Sequence, residues 1–211
     1  WMKLYRRDRA FRALRAEFDL ARDFGLPLEV LDAEGARRLE PSLRPVFARA
    51  VFWPKAASLS DPLAVTRAYA ARFDALGGVL IKGDARTLHR SGGRWRVETD
   101  EGSIDASDVV VALGPWAPDL LEGFGLKLPM AFKRGYHRHF RGEGNASLSR
   151  PVVDTAHGYL ITPMAQGIRL TTGAEFADRD APPTPVQFDR LMPEARGLFP
   201  LGERADDKTW M

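Results

Sequence analysis

Residues 108–121 read DVVVALGPWAPDLL. From Val109 to Leu113 the run is wholly apolar, and it stops at Gly114-Pro115-Trp116. A stretch with no polar residue on either face predicts a strand covered on both sides, as a parallel strand in an α/β sheet is. Ligands in such sheets bind beyond the carboxyl ends of the strands. A glycine there lets backbone approach a ligand closely. Left without neighbours, the same strand offers an apolar edge to a second copy, so self-association through this edge is expected.

Working outward, Ser60 or Asp61 is a good N-cap and Pro62 suits a first helical turn, so a helix is expected to about Leu76, closed by Gly77-Gly78. Short strands follow at VLIK, ARTLHR, RWRVET and SIDA, with turns at Gly92-Gly93 and Asp100-Glu101-Gly102. Nearer the start, Phe11, Leu14, Phe18 and Ala21 fall at helical spacing before Gly25. LPLEVL reads as a strand, and Asp32 caps a short helix that ends before Pro41. RAVFWPKAASL is a strand and loop. Beyond Leu121, PMAFKRGYHRHF, PVVDTAHGYLITPM and GIRLTTGAEF read as three antiparallel strands, and APPTPVQFDRLMPEARGLFP as a helix. No internal repeat or low-complexity segment occurs.

The 211 residues are 45% hydrophobic, enough for a sizeable core and too apolar for a disordered chain. No apolar run approaches the ~18 residues of a membrane span. Cysteine is absent, which excludes disulfides and thiolate metal sites and is compatible with a reducing cytoplasm. The net charge of +3 is a mild excess. Residues 126–142 hold Lys127, Lys133, Arg134, Arg138 and Arg141 with no acid, and read as a solvated strand and its loops rather than a nucleic-acid surface. His137 and His139 share one strand face but lack nearby carboxylates at metal spacing, so no metal is expected and the pair is expected to be exposed.

The order of these pieces resembles the FAD-dependent amine and amino-acid oxidoreductases of the D-amino-acid oxidase type. The helix after Asp61-Pro62, Gly77-Gly78-Val79, the hairpin with VETDEG and IDASDVVVALGPW follow the family's helix, G-V strand, T-x-x-G hairpin and A-D-x-V-V-x-A-x-G-x-W. LDAEGARRLEPSL, LPMAFKRGYH and HGYLITPMAQGIRLTTGAEF resemble three further family segments in the same order, and nearly the whole chain fits. The bacterial D-amino-acid dehydrogenase branch is the one it resembles in particular.

The resemblance implies an α+β fold: a substrate domain with a mixed, mainly antiparallel sheet covered by helices, plus a partial α/β flavin-domain segment. The implied division is residues 1–59 and 121–211 for the substrate domain, with 60–120 belonging to the flavin domain. It implies FAD near Ala85, Gly114 and Trp116, with Ala85 standing where the family usually has a valine whose backbone meets the adenine. It implies substrate contacts from Tyr159 and Tyr136, a phenol being a sensible donor to a carboxylate. No side chain is marked as a general base. The parent reaction implied is hydride removal from the α-carbon of a D-amino acid or related amine to the flavin, giving an imine that water hydrolyses, with the electrons passed to an acceptor. A cytoplasmic enzyme, peripheral to the inner membrane in the parent, is the implied setting.

Two family segments have no counterpart here: the G-x-G-x-x-G that holds the pyrophosphate, and W-x-G-x-R-P-x-x-P-D. The chain therefore reads as an internal fragment, expected to be inactive alone and not to retain FAD. Alternatives are a related flavoenzyme acting on glycine, sarcosine or glycerol phosphate, and a non-enzymatic binding module.

Overall fold

A computed structural model describes residues 1–184 and 186–210. In chain order the first elements are β1 (Met2–Tyr5), α1 (Asp8–Arg12), α2 (Arg15–Asp23), β2 (Glu29–Asp32), α3 (Ala33–Leu39) and β3 (Arg49–Phe52). The middle holds α4 (Pro62–Ala75), β4 (His89–Ser91), β5 (Arg94–Thr99), β6 (Gly102–Ala106) and α5 (Ala117–Glu122). The last part contributes β7 (Lys133–Arg134), β8 (His137–Gly142), β9 (Val152–Asp154), β10 (Tyr159–Met164), β11 (Gly167–Thr171), β12 (Glu175–Phe176), α6 (Val186–Leu198) and β13 (Leu201–Arg204). The chain divides into two compact units: Trp1–Asp61 with Lys133–Glu175 and Asp180–Met211, and Pro62–Phe132 with Phe176–Arg179.

The first unit is built on an eight-stranded sheet in the order β13-β8-β11-β10-β9-β1-β3-β2. All its pairings are antiparallel except β1 with β9, so the sheet is mixed and mainly antiparallel. Alternation divides its side chains between two faces. Met2, Leu4, Ala50, Val152, Ile161 and Leu170 are buried on one face with Phe188, Ala195 and Leu198 of α6 and Ala36 of α3. Over β1, the other face is covered by α1 and α2: Phe11 sits edge-on to Tyr5 with ring centroids 6.0 Å apart, and Lys3 bonds Glu17.

Asp32 caps α3 by accepting from Gly35 N–H at 2.7 Å, so the short helix starts where the sequence places it. The helix expected from residue 8 to the stop at Gly25 is instead two, interrupted at Ala13-Leu14. β1 itself carries no signal of a strand in MKLY, yet it lies inside the sheet. Its place is created by its neighbours β3 and β9, which are 44 or more residues away.

The second unit comprises α4, a three-stranded antiparallel sheet β4-β5-β6 and α5. Gly92 and Gly93 adopt φ 58° and 79° in the β4–β5 turn, the left-handed geometry that a two-residue hairpin needs. Trp95 of β5 meets Phe124, just past α5, edge-on at 5.3 Å. Residues 79–82, read as the strand VLIK, and 108–113 form no strand in the structure. For the second stretch the reason is physical. A parallel strand exists only when flanking strands satisfy its N–H and C=O groups. No described strand pairs with 108–113, and Val110 is 88% exposed. The expectation of a strand covered on both faces is thus corrected: an apolar run supplies neither its own cover nor its own pairing.

Candidate functional site

In the second unit, the chain from Asp84 makes one 3₁₀ turn, Ala85–Thr87, in which Asp84 accepts from Arg86 N–H at 3.0 Å. The stretch 108–113 then leads into a second 3₁₀ turn, Gly114–Trp116, and α5. These turns wall a cleft of about 570 Å³ lined by Ala85, Leu88, Leu113, Trp116, Leu120 and Phe124 among others. A neighbouring apolar recess of about 280 Å³ is lined by Ala85, Val97 and Val109 to Leu113. Two residues singled out from sequence, Ala85 and Trp116, thus line one cleft, and Gly114 lies between the lining residues Leu113 and Trp116. Gly114 has φ 54°, and a Cβ there would meet nothing within 4 Å. Arg179 bonds Asp119 at 2.6 Å and lies 5.8 Å from the Trp116 ring centroid, so a cation holds that indole.

In the first unit, Tyr159 and Tyr136 are each 1% exposed. Tyr159 stands on the α6-covered face and donates its hydroxyl to the Glu194 carbonyl of that helix at 3.2 Å. Burial raises its pKa well beyond the usual phenol value, with the Asp154 carboxylate adding to the effect. Tyr136 donates to Glu175 Oε1 and accepts from Thr184 N–H at 2.8 Å. The same Glu175 oxygen takes Arg134 Nη2 at 2.7 Å. Hydrogen bonds from Tyr136 and then Arg134 hold the Glu175 carboxyl below its ordinary value. Arg134, read from sequence as part of a solvated basic run, is 7% exposed and bonds the carbonyls of Ala181 and Pro182. Its charge is consumed by a local cage rather than offered to solvent.

The opposite sheet face carries a polar group that the sequence did not single out. Register places His139, Arg169 and Thr162 in one cross-strand row, and His137, Thr171 and Leu160 in the next. Arg169 Nε donates to His139 Nε2 at 3.2 Å. His139 is 2% exposed, which corrects the expectation of an exposed pair: the C-terminal segment covers it, with Ala205 N–H bonded to the His139 carbonyl at 2.9 Å and Asp206 Oδ2 3.5 Å from Nδ1. His137 stacks on Trp210 at 6.2 Å between ring centroids. Burial first, then the Arg169 guanidinium and His139, push His137 down to about 4. Arg169 was legible as a cation on a strand, but only pairing shows what it stands beside. Among the described residues, no cluster of three or more His, Asp or Glu side chains is placed to hold a metal ion. No helix among them is long and apolar enough to cross a membrane.

The sequence matches the FAD dependent oxidoreductase (DAO) family across residues 1–211. The chain belongs to the FAD dependent oxidoreductase family. A D-amino acid dehydrogenase of Rhizobium rhizogenes is 32% identical over 225 residues, covering 99% of this chain and 51% of that protein. The chain thus spans about half the length of the curated relatives it matches. Glycine oxidase from Geobacillus kaustophilus superposes with a TM-score of 0.79 at 25% identity, over 99% of this chain and 56% of that one. L-proline dehydrogenase from P. horikoshii superposes with a TM-score of 0.77 at 19% identity, over 99% and 58%, and shows the same fold. Against this family's cofactor, the second unit's cleft offers both kinds of wall, apolar at Leu88, Leu113, Trp116, Leu120 and Phe124 and polar at Arg86, His89 and Asp119, and at Gly114 the backbone is open to a close approach.

Proposed function

We propose that this chain is the greater part of the substrate domain, and a piece of the flavin domain, of an FAD-dependent oxidoreductase that oxidises a D-amino acid or a related amine to its imine. The observation that carries the proposal is the 32% identity to a D-amino acid dehydrogenase along essentially the whole chain. The first unit corresponds to the substrate domain and the second to the flavin-domain piece. Ala85, Gly114 and Trp116 would hold part of FAD, Gly114 by leaving room at the backbone and Trp116 by covering. Bound FAD supplies a hydride acceptor, from which the electron pair passes on to a further acceptor.

The chain's own part is positioning: it holds the amine-bearing carbon in one orientation and keeps water away from it. Tyr136 and Tyr159 serve that scaffold, since their hydroxyls are engaged by Glu175 and by the Glu194 carbonyl. No side chain need remove a proton from carbon if the substrate amine arrives neutral. A second substrate class, glycine and small secondary amines, is favoured by the 25%-identical glycine oxidase fold.

The test is dye reduction by the full-length protein reconstituted with FAD. D-alanine is expected to bleach an artificial acceptor, and L-alanine to do so far more slowly. Turnover with glycine or sarcosine but no D-amino acid moves the assignment to the second class. No turnover with any of them, in protein that has bound FAD, removes it.

A further inference from the structure

In the first unit, five charged side chains border one cleft of about 680 Å³ at the β13 edge of the eight-stranded sheet. Arg141 comes from the end of β8 and Glu143 from just beyond it, Glu203 from β13, Arg196 from the last turn of α6, and Arg44 from the segment after α3. Arg141 belongs to the basic run 126–142, whose Arg134 and Arg138 are engaged by Glu175 and Thr209. Among the described residues, the side chains of Arg141, Arg196, Glu143 and Glu203 make no hydrogen bond or ion pair. Two guanidiniums and two carboxylates thus share a cleft without pairing with one another.

The backbone shapes this cleft. β13 pairs β8 at Leu201↔Gly142 and again at Arg204↔Phe140, so β13 carries one residue more than β8 over the same span. The resulting bulge falls on Gly202 and Glu203, the part of β13 that lines the cleft, and a bulge re-aims the side chains it carries. Gly142 and Gly202 add no side chain to the space, and a Cβ on Gly202 would stand 3.3 Å from the Arg141 carbonyl. Arg44 is held in place: its N–H donates to the Leu198 carbonyl at 2.8 Å and its Nη1 to the Arg196 carbonyl at 3.0 Å, which satisfies carbonyls at the C-terminal end of α6.

Guanidiniums grip phosphate and carboxylate oxygens through their forked N–H donors. An ionised carboxylate only accepts, so Glu143 and Glu203 call for donors on the ligand. The cleft is therefore matched by a molecule with an oxyanion at one end and hydroxyl groups at the other. Its three guanidiniums suit the three terminal oxygens of a phosphate ester better than the two of a carboxylate. No aromatic ring lines it among the described residues, so a nucleobase would find no stacking partner. Its volume is that of a small-molecule site. We propose that this cleft binds a sugar phosphate, with Arg44, Arg141 and Arg196 on the phosphate and Glu143 and Glu203 on the sugar hydroxyls. The inference stands apart from the oxidoreductase reading, in which no residue of this cleft takes part.

The test titrates the 211-residue chain by calorimetry, at fixed ionic strength, with glucose 6-phosphate, glucose, inorganic phosphate and AMP. Glucose 6-phosphate is expected to saturate a single site and glucose to give no binding. Inorganic phosphate, which lacks the hydroxyl contacts, is expected to bind about tenfold more weakly, and AMP more weakly than glucose 6-phosphate. Arg141→Met and Arg196→Met are each expected to weaken glucose 6-phosphate about ten- to a hundredfold, the range for a lost hydrogen bond to a charged group. Glu203→Ala is expected to weaken glucose 6-phosphate and leave inorganic phosphate as in the wild type, a split that a general loss of structure would not give. All three side chains are exposed, so the fold should tolerate their replacement. Absence of saturation by glucose 6-phosphate, or wild-type affinity in both arginine variants, overturns the site. Equal affinity for inorganic phosphate reduces it to an adventitious anion contact and overturns it as well. Tighter binding of AMP overturns the assignment to a sugar phosphate.

Discussion

Arg169 Nε stands 3.2 Å from His139 Nε2, with the guanidinium as donor. A guanidinium has no lone pair to offer, so His139 Nε2 must be the unprotonated nitrogen. The imidazole is then neutral, with its proton on Nδ1, which makes no hydrogen bond and lies 3.5 Å from Asp206 Oδ2. Burial and the Arg169 charge both lower its pKa, in keeping with this tautomer. ¹⁵N NMR at pH 7 is expected to show a pyridine-like Nε2 and a pyrrole-like Nδ1 for His139. The opposite pattern contradicts the hydrogen bond and releases Arg169 from its orientation.

Acid should destabilise the fold in two windows. His137 has a pKa of about 4 in the fold and 6.5 as its ordinary value. Between those values the unfolded chain binds a proton that the folded one refuses, so stability falls as pH drops from about 6.5 to 4. Burial alone raises Asp154, but hydrogen bonds from Arg6 and His157 outweigh it and hold its carboxyl below 3.8. Its contribution is complete above that value and is lost at more acid pH. Urea midpoints measured from pH 7 to 3 should decline through both ranges, and His137→Gln should flatten the first. A flat profile from 6.5 to 4 in the wild type would show His137 to be freely solvated.

Tyr159→Phe separates a scaffold tyrosine from a ligand-binding one. Removal of its hydroxyl leaves the Glu194 carbonyl without that donor inside the fold. Stranding a buried acceptor costs about 1–3 kcal/mol. The variant should lose that much in urea unfolding, and the FAD-loaded full-length protein carrying it should keep its kcat/KM for D-alanine. Unchanged stability with a lowered kcat/KM would return Tyr159 to the substrate-binding role its sequence context first implied. Since burial raises the phenol pKa, its share of stability is present below pH 10 and fades as pH rises further.

Gly114→Ala tests the turn at the cleft. Gly114 has φ 54° and open space where a Cβ would go, so the change adds no collision and only a left-handed backbone cost of about 1–2 kcal/mol. Asn, which tolerates this region better, should cost less than Ala. Equal losses for both, or none for either, would mean that the turn relaxes out of the left-handed region.

Asp32→Ala should cost about 1 kcal/mol, because the N–H of Gly35 loses its acceptor. Thermal unfolding of the variant checks this, and an unchanged midpoint would show that the cap contributes nothing to α3.

Local chemistry alone determined a good deal of this protein. Asp32 caps its helix, Pro62 opens α4, Gly25 and Gly77 turn left-handed after helices, and Gly92-Gly93 closes a hairpin. Each depends on a few adjacent residues, so each was legible, as were the antiparallel β8, β10 and β11 from their alternation. The run of family-like segments was legible for the same reason, since it is carried in linear order.

Tertiary structure decided what depends on a neighbour far along the chain. MKLY became an inner strand because β3 and β9 flank it, while VVVAL stayed unpaired because no described strand flanks it. Tyr159 and Leu160 differ by one position, and that one position sends the phenol under α6 and the aliphatic chain to the other face. Arg169 reaches His139 across 30 residues, a pairing set by the β8–β11 register. Strand identity follows from hydrogen-bonding partners, and a side chain's surroundings follow from register, and both of these are properties of pairs of segments rather than of any one of them.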